Sequence, residues 1–158
     1  MIKDPSAVES DLGEVRGLNL LPVVTTLERE KIVRKVTGTC LLNNRKIEGY
    51  EIHMGKSVIL KGLGRPFLRI HVKGEKGAWE DGWTINAGQI AGTYVHGVLD
   101  SPGFRESFLN QIRWAKGLES RAAKRAGRSK SHQYDRLADH FEAHCDVEKI
   151  VKIAMKGC

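Results

Sequence analysis

The 158 residues, 41% hydrophobic and 28% charged, can bury one real core but leave little room for a second domain. The longest apolar stretches, residues 18–24 and 147–155, are short and interrupted, and the N-terminus lacks a basic-then-apolar design, so the expectation is a cytoplasmic protein with no membrane partner. Cys40, Cys145 and Cys158 are odd in number and irregular in spacing, which fits neither a disulfide framework nor a Cys-x-x-Cys zinc site.

The formal net charge of +7 is concentrated rather than spread. Lys116, Arg121, Lys124, Arg125, Arg128 and Lys130 share one segment with Gly117, Gly127 and three serines, which reads as a solvated connector or as a site for an acidic ligand. No aromatic side chain interleaves these bases, so the stacking platform of a single-strand binder is missing and nucleic acid is not an expected partner.

In chain order, residues 1–17 have loop composition: Asp4-Pro5-Ser6, several acids and two glycines. Residues 18–26 predict an approach loop and a short strand with Pro22 near its start. The β-branched run from Ile32 to Thr37 predicts a strand over 31–42, wet on one face, and Asn43-Asn44 a turn. Residues 47–53 alternate, with Ile47, Gly49, Glu51 and His53 on one face, so the two stretches form a hairpin. Residues 67–72 and 83–85 predict strands separated by a glycine-rich stretch, and residues 90–95 one compact strand ending at His96-Gly97. Pro102-Gly103 then opens a helix near Ser101, carrying Phe104, Phe108, Leu109, Ile112 and Trp114, with Glu106 in its first turn. Tyr134, Leu137, Ala138, Phe141 and Cys145 trace a second helix; Val147, Ile150, Val151 and Ala154 trace a third. Strands followed by helices is α+β order, or the second half of an α/β domain whose parallel strands lie upstream.

Several patterns bear on chemistry. Gly92-Thr93-Tyr94-Val95-His96-Gly97 delivers a histidine from a strand into a glycine turn, a placement that suits a general base and equally a structural residue. Acyl transfer from an amide would also need a thiolate and backbone N–H donors nearby, and no cysteine here has the flanking glycines of a nucleophile elbow. Cys40 reads as strand core and Cys145 lies on a helix stripe. Gly55-Lys56-Ser57 lacks the upstream glycine of a phosphate loop, since Tyr50 stands there. His140 and His144 share a helix face at metal-binding spacing, but Phe141 replaces the acid of a zinc peptidase, so a solvated face is expected and no metal site. His53 shares a strand face with Glu51, where a polar site can form.

Ordered motifs then run from Ile2 to about Ala154: Ile2-Lys3-Asp4-Pro5, Gly17-Leu18-Asn19-Leu20-Leu21-Pro22, Gly49-Tyr50-Glu51-Ile52-His53-Met54-Gly55, Asp81-Gly82, Gly92 to Gly97, and Tyr134-Asp135-Arg136-Leu137-Ala138-Asp139. Together they resemble the C-terminal part of the class I glutamine amidotransferase domain of cobyric acid synthases. The resemblance implies an α/β, flavodoxin-like fold, of which residues 1–158 are a single, incomplete domain, strand-rich to about residue 100 and helical after it. It implies a cysteine attacking the glutamine amide, a histidine relaying the proton, and ammonia passing to a synthetase domain that amidates carboxylates of a corrinoid. His96 matches the catalytic histidine by position; Glu51, His53 and Tyr94 are candidate substrate-binding residues. No cofactor is expected in this chain, and ATP and Mg are expected with the synthetase domain. Val98 stands where many class I enzymes carry a glutamate, leaving Asp100 or Glu51 to orient His96. The glycine-flanked cysteine would lie upstream of Met1, so the chain is expected to be inactive by itself. The rival readings are a cobyrinic acid a,c-diamide synthase and a degenerate, non-catalytic binding domain.

Overall fold

The computed structural model describes residues 1–60, 62–122 and 130–156. Its strands are β1 (Ile2–Lys3), β2 (Glu14–Val15), β3 (Val23–Cys40), β4 (Lys46–Ile59), β5 (Arg65–His71), β6 (Trp79–Ile85), β7 (Ile90–Gly92) and β8 (Val95–His96); its helices are α1 (Pro102–Ala115), α2 (Lys130–His144) and α3 (Val147–Lys156). The chain divides into two compact units, Met1–Ala123 and Lys124–Cys158. All strands and α1 belong to the first.

The predicted hairpin forms and is longer than its pattern suggests. β3 and β4 pair antiparallel from Thr39↔Lys46 out to Val23↔Ile59, so the two strands expected over 18–26 and 31–42 are one. Their junction is irregular: β3 runs from Leu27 to Ile32 while β4 advances only from Gly55 to His53, which pushes Glu28–Lys31 out of the ladder and hides the continuity in the sequence. Gly55-Lys56-Ser57 is ladder backbone opposite Thr25 to Leu27. At the turn, Asn44 takes a left-handed φ of 55°, tolerable for asparagine, and the Asn43 side chain accepts from the Arg45 N–H at 3.1 Å. Along β4, buried Ile47, Gly49 and Glu51 alternate with exposed Lys46, Glu48 and Tyr50.

β5 pairs with both β3 and β6, and β6 with β7, each antiparallel. β6 starts at Trp79, inside the stretch expected to be loop, because Trp79 and Glu80 find ladder partners in Ile70 and Arg69. The single strand expected over 90–95 is divided: β7 pairs with β6, whereas β8 pairs with β4. Pairing therefore runs round a circuit from β3 through β5, β6 and β7, across residues 93–94 to β8, and back through β4. The buried core is formed by Val36, Cys40, Ile47, Phe67, Leu68, Ile70 and Val95, with Phe104 of α1 completing it.

α1 begins where its pattern places it. Pro102 occupies the first helical turn, where its missing N–H costs nothing, and the Ser101 hydroxyl accepts from the Glu48 N–H at 3.0 Å, tying the helix start to β4. Glu106, expected in the first turn, lies beyond it. The Phe104 ring meets Phe67 edge-on at 6.1 Å and stacks with Phe108 at 6.0 Å. Phe104→Ala is expected to cost about 3–5 kcal/mol in a urea titration, because the buried ring is the main anchor of α1.

The N-terminal segment, expected to be loop, contains two short strands. β1 runs parallel to β3 through Ile2↔Thr25 and antiparallel to β2. Two-residue strands have no periodicity to read; the loop that joins them is held by the Asp4 carboxylate. Buried Asp4 accepts backbone N–H bonds from Val8 at 2.7 Å, Glu9 at 2.8 Å and Ser10 at 3.0 Å, folding the loop back. Those N–H groups, Glu9's first, hold its carboxyl below the ordinary aspartate value of 3.8. Its stabilising contribution is thus present above that value and lost as the pH falls through the lowered one. In urea unfolding followed from about pH 5 to 2, Asp4→Asn should remove this part of the acid destabilisation.

In the second unit, α2 and α3 occupy the two predicted helical stripes. The Asp146 carboxylate between them accepts the Lys149 N–H at 3.0 Å, the N-cap bond of α3. Of the basic segment proposed as connector or acidic-ligand site, residues 123–129 lie outside the described residues. No helix among the described residues is long and apolar enough to cross a membrane.

Candidate functional site

Three of the four candidate site residues come together in the first unit. On β4, Glu51 and His53 are two residues apart and share a face. The buried Glu51 carboxylate accepts from Arg34 Nε at 2.6 Å through Oε2 and meets His53 Nε2 at 3.0 Å through Oε1. His53 Nδ1 lies 2.6 Å from the Gly55 carbonyl oxygen. A carbonyl and a carboxylate only accept, so both bonds are made together when each ring nitrogen carries a proton. The Tyr94 ring stacks on His53 with centroids 4.1 Å apart, and its hydroxyl is 2.7 Å from Ser57 Oγ, itself 2.6 Å from Thr25 Oγ1. Arg34 lies over the Trp79 ring at 4.1 Å.

These groups line one side of a cleft of about 760 Å³ that also takes in Trp83, Asp81 and Thr93. Asp81 on β6 is buried and accepts from the Thr93 hydroxyl and the Tyr94 N–H. Burial pushes its carboxyl above the ordinary aspartate range; the Thr93 hydrogen bond opposes this and the negative charge of Glu51 adds to it.

His96 stands apart from this cluster. In the β4–β8 pair it opposes Tyr50, while Val95 opposes Glu51. Directly opposed residues share a sheet face, so His96 lies on the Tyr50 face, away from Glu51 and His53, and it is exposed. Tyr94, two residues earlier, reaches the other face because residues 93–94 are the bend between β7 and β8. Glu51 is therefore not the carboxylate that orients His96, since its oxygens are committed to Arg34 and His53 on the opposite side. Asp100 stands by the turn that follows His96: Gly97 adopts φ +80, and a Cβ placed there would lie 3.3 Å from Asp100 Oδ2. The His140 and His144 rings do meet, at 4.2 Å, but His144 Nδ1 donates to the His140 carbonyl at 2.8 Å. Among the described residues, no group of three or more His, Cys, Asp or Glu could hold a metal ion.

Arg34, Ser57, Thr25 and Asp81 were not foreseen in the site. Arg34 was within reach of the sequence, since extending the hairpin register places it opposite Glu51. Asp81 carried no such signal, because its partners are in a bend whose position only the closed circuit of strands decides.

A family model for the CobB/CobQ-like glutamine amidotransferase domain matches residues 1–104. The chain belongs to this family. The CobB/CobQ-like domain has the α/β fold of the flavodoxin-like class I amidotransferases, and the order of strands followed by three helices agrees with its C-terminal portion. A cobyric acid synthase from Clostridium botulinum is 41% identical over 155 residues, covering 96% of this chain. Those from Geobacillus thermodenitrificans and Chlorobium phaeobacteroides are 41% identical over 152 residues and 39% over 158, covering 95% and 99%. This CobB/CobQ-like chain spans only about a third of the length of these curated relatives, 31%, 29% and 30% respectively.

Proposed function

We propose that the chain is the histidine-bearing part of a glutamine amidotransferase that serves a cobyric acid synthase. The exposed imidazole of His96, held at the end of β8 and followed by a left-handed glycine, is the observation that carries this reading. In the proposed reaction a cysteine thiol from outside this chain loses its proton to His96 as its sulfur attacks the side-chain amide carbon of glutamine. His96 returns that proton to the leaving nitrogen, and ammonia departs. Water then hydrolyses the thioester with His96 as base, releasing glutamate and the thiol. Consuming the ammonia to amidate a corrinoid carboxylate requires ATP and Mg, which a synthetase portion would bind. Exposure of His96 supports the reading because the imidazole must meet a thiolate supplied by another segment of polypeptide.

The test is ammonia release from glutamine. The chain alone is expected to release none above a His96→Ala control. When joined to the remaining portion of a relative such as the Clostridium botulinum protein, it should release ammonia in a His96-dependent manner. Release by the isolated chain that depends on His96 would overturn the division of labour, and a joined protein indifferent to His96 would overturn the catalytic assignment.

A further inference from the structure

We propose that Asp81 is a positioning residue for His96, its carboxylate fastening the crossover at Thr93 and Tyr94 from which the histidine emerges. The proposal rests on the catalytic reading of His96 given above.

Where a strand changes neighbours, its backbone loses the regular ladder, and buried N–H groups at the switch need other acceptors. Residues 93–94 are such a switch, between β7 on β6 and β8 on β4. Asp81 Oδ2 accepts from the Thr93 hydroxyl and, at 3.3 Å, from the Tyr94 N–H; Thr93 Oγ1 in turn accepts the Val95 N–H at 3.0 Å. One carboxylate oxygen thereby references three consecutive residues, and His96 is the next.

The neighbouring glycines make the approach possible. Gly82 takes φ +71, and a Cβ there would meet the Gly92 carbonyl oxygen at 2.1 Å, so β6 can come this close to β7 only without a side chain. On the far side, a Cβ at Gly49 would sit 2.2 Å from the His96 carbonyl oxygen. The backbone carrying the imidazole is gripped between the Asp81 clamp and Gly49. Asp81 does not touch the imidazole and acts only through this backbone.

Asp81→Ala, Asp81→Asn and Thr93→Val distinguish a clamp from a core residue. Asparagine keeps an acceptor oxygen, alanine removes it, and valine keeps the threonine shape without its hydroxyl. In the chain itself, amide hydrogen exchange at Tyr94 and Val95 should quicken by about tenfold or more in Asp81→Ala and Thr93→Val and stay near wild type in Asp81→Asn. The His96 imidazole NMR signals should move in Asp81→Ala and Thr93→Val only. Exchange and His96 signals unchanged in Thr93→Val and Asp81→Ala would overturn the proposal; if Asp81→Ala does not fold, Thr93→Val alone decides. In the joined enzyme the same two variants should lose about tenfold or more in kcat with KM little changed, and Asp81→Asn should recover it. Full activity in a variant whose exchange has quickened would also overturn it. Should the joined wild-type protein show no His96-dependent ammonia release, the catalytic reading fails by itself, and the exchange and NMR results still judge whether Asp81 holds the crossover.

Discussion

His96→Ala, introduced where the cysteine-bearing portion is present, is expected to lower kcat for glutamine hydrolysis by about 10²–10⁴-fold while leaving KM nearly unchanged. The size follows from the role: an imidazole that relays one proton in each half of the reaction lowers both barriers, and a methyl group replaces neither transfer. KM should hold because His96 is assigned no part in binding the ground-state amide, and an interaction made only in the transition state appears in kcat. The structural cost should be small, since the side chain is exposed and its backbone is held by β4 rather than by the ring. Steady-state ammonia release measured beside a thermal melt separates the two effects. A variant that melts normally yet keeps its kcat would remove His96 from the mechanism.

Gly49→Val should be the most disruptive single change near the site. The added Cβ would lie 2.2 Å from the His96 carbonyl oxygen and 2.7 Å from Val95 Cγ1, distances that real contacts do not reach. Neither neighbour can yield cheaply. The first is backbone, and the second belongs to a core side chain only 4% exposed. β8 must therefore leave β4, opening the circuit of strands at the segment that carries His96, for an expected loss of about 3 kcal/mol or more in urea unfolding. Gly17→Ala is the matched control. Its added carbon would meet nothing closer than 3.8 Å, and a change within about 0.5 kcal/mol is expected. Equal losses in the two variants would contradict the packing at Gly49.

The helices and the central hairpin were legible because each is specified by short-range pattern. Phe104 and Phe108 lie one helical turn apart behind a proline, and Ile47, Gly49 and Glu51 alternate at the strand period; both spacings survive whatever the elements pack against. The shared face of Glu51 and His53 was legible for the same reason. The bulge in β3, the early start of β6 and the two small N-terminal strands were not, because their backbone bonds are made to residues distant in the chain and their side chains show no period of their own.

By itself, then, the order of residues determined the central hairpin and the three helices, that a histidine closes one strand beside a glycine, and which family the motifs resemble. Tertiary structure alone decided that residues 90–96 serve two different neighbours. That switch of partners turns Tyr94 toward His53 and leaves His96 on the opposite face, and an acceptor oxygen of the buried Asp81 satisfies the bend. The physical reason is that side-chain direction along a strand follows the pairing of its backbone, and pairing between residues far apart in the chain leaves no local trace in either segment.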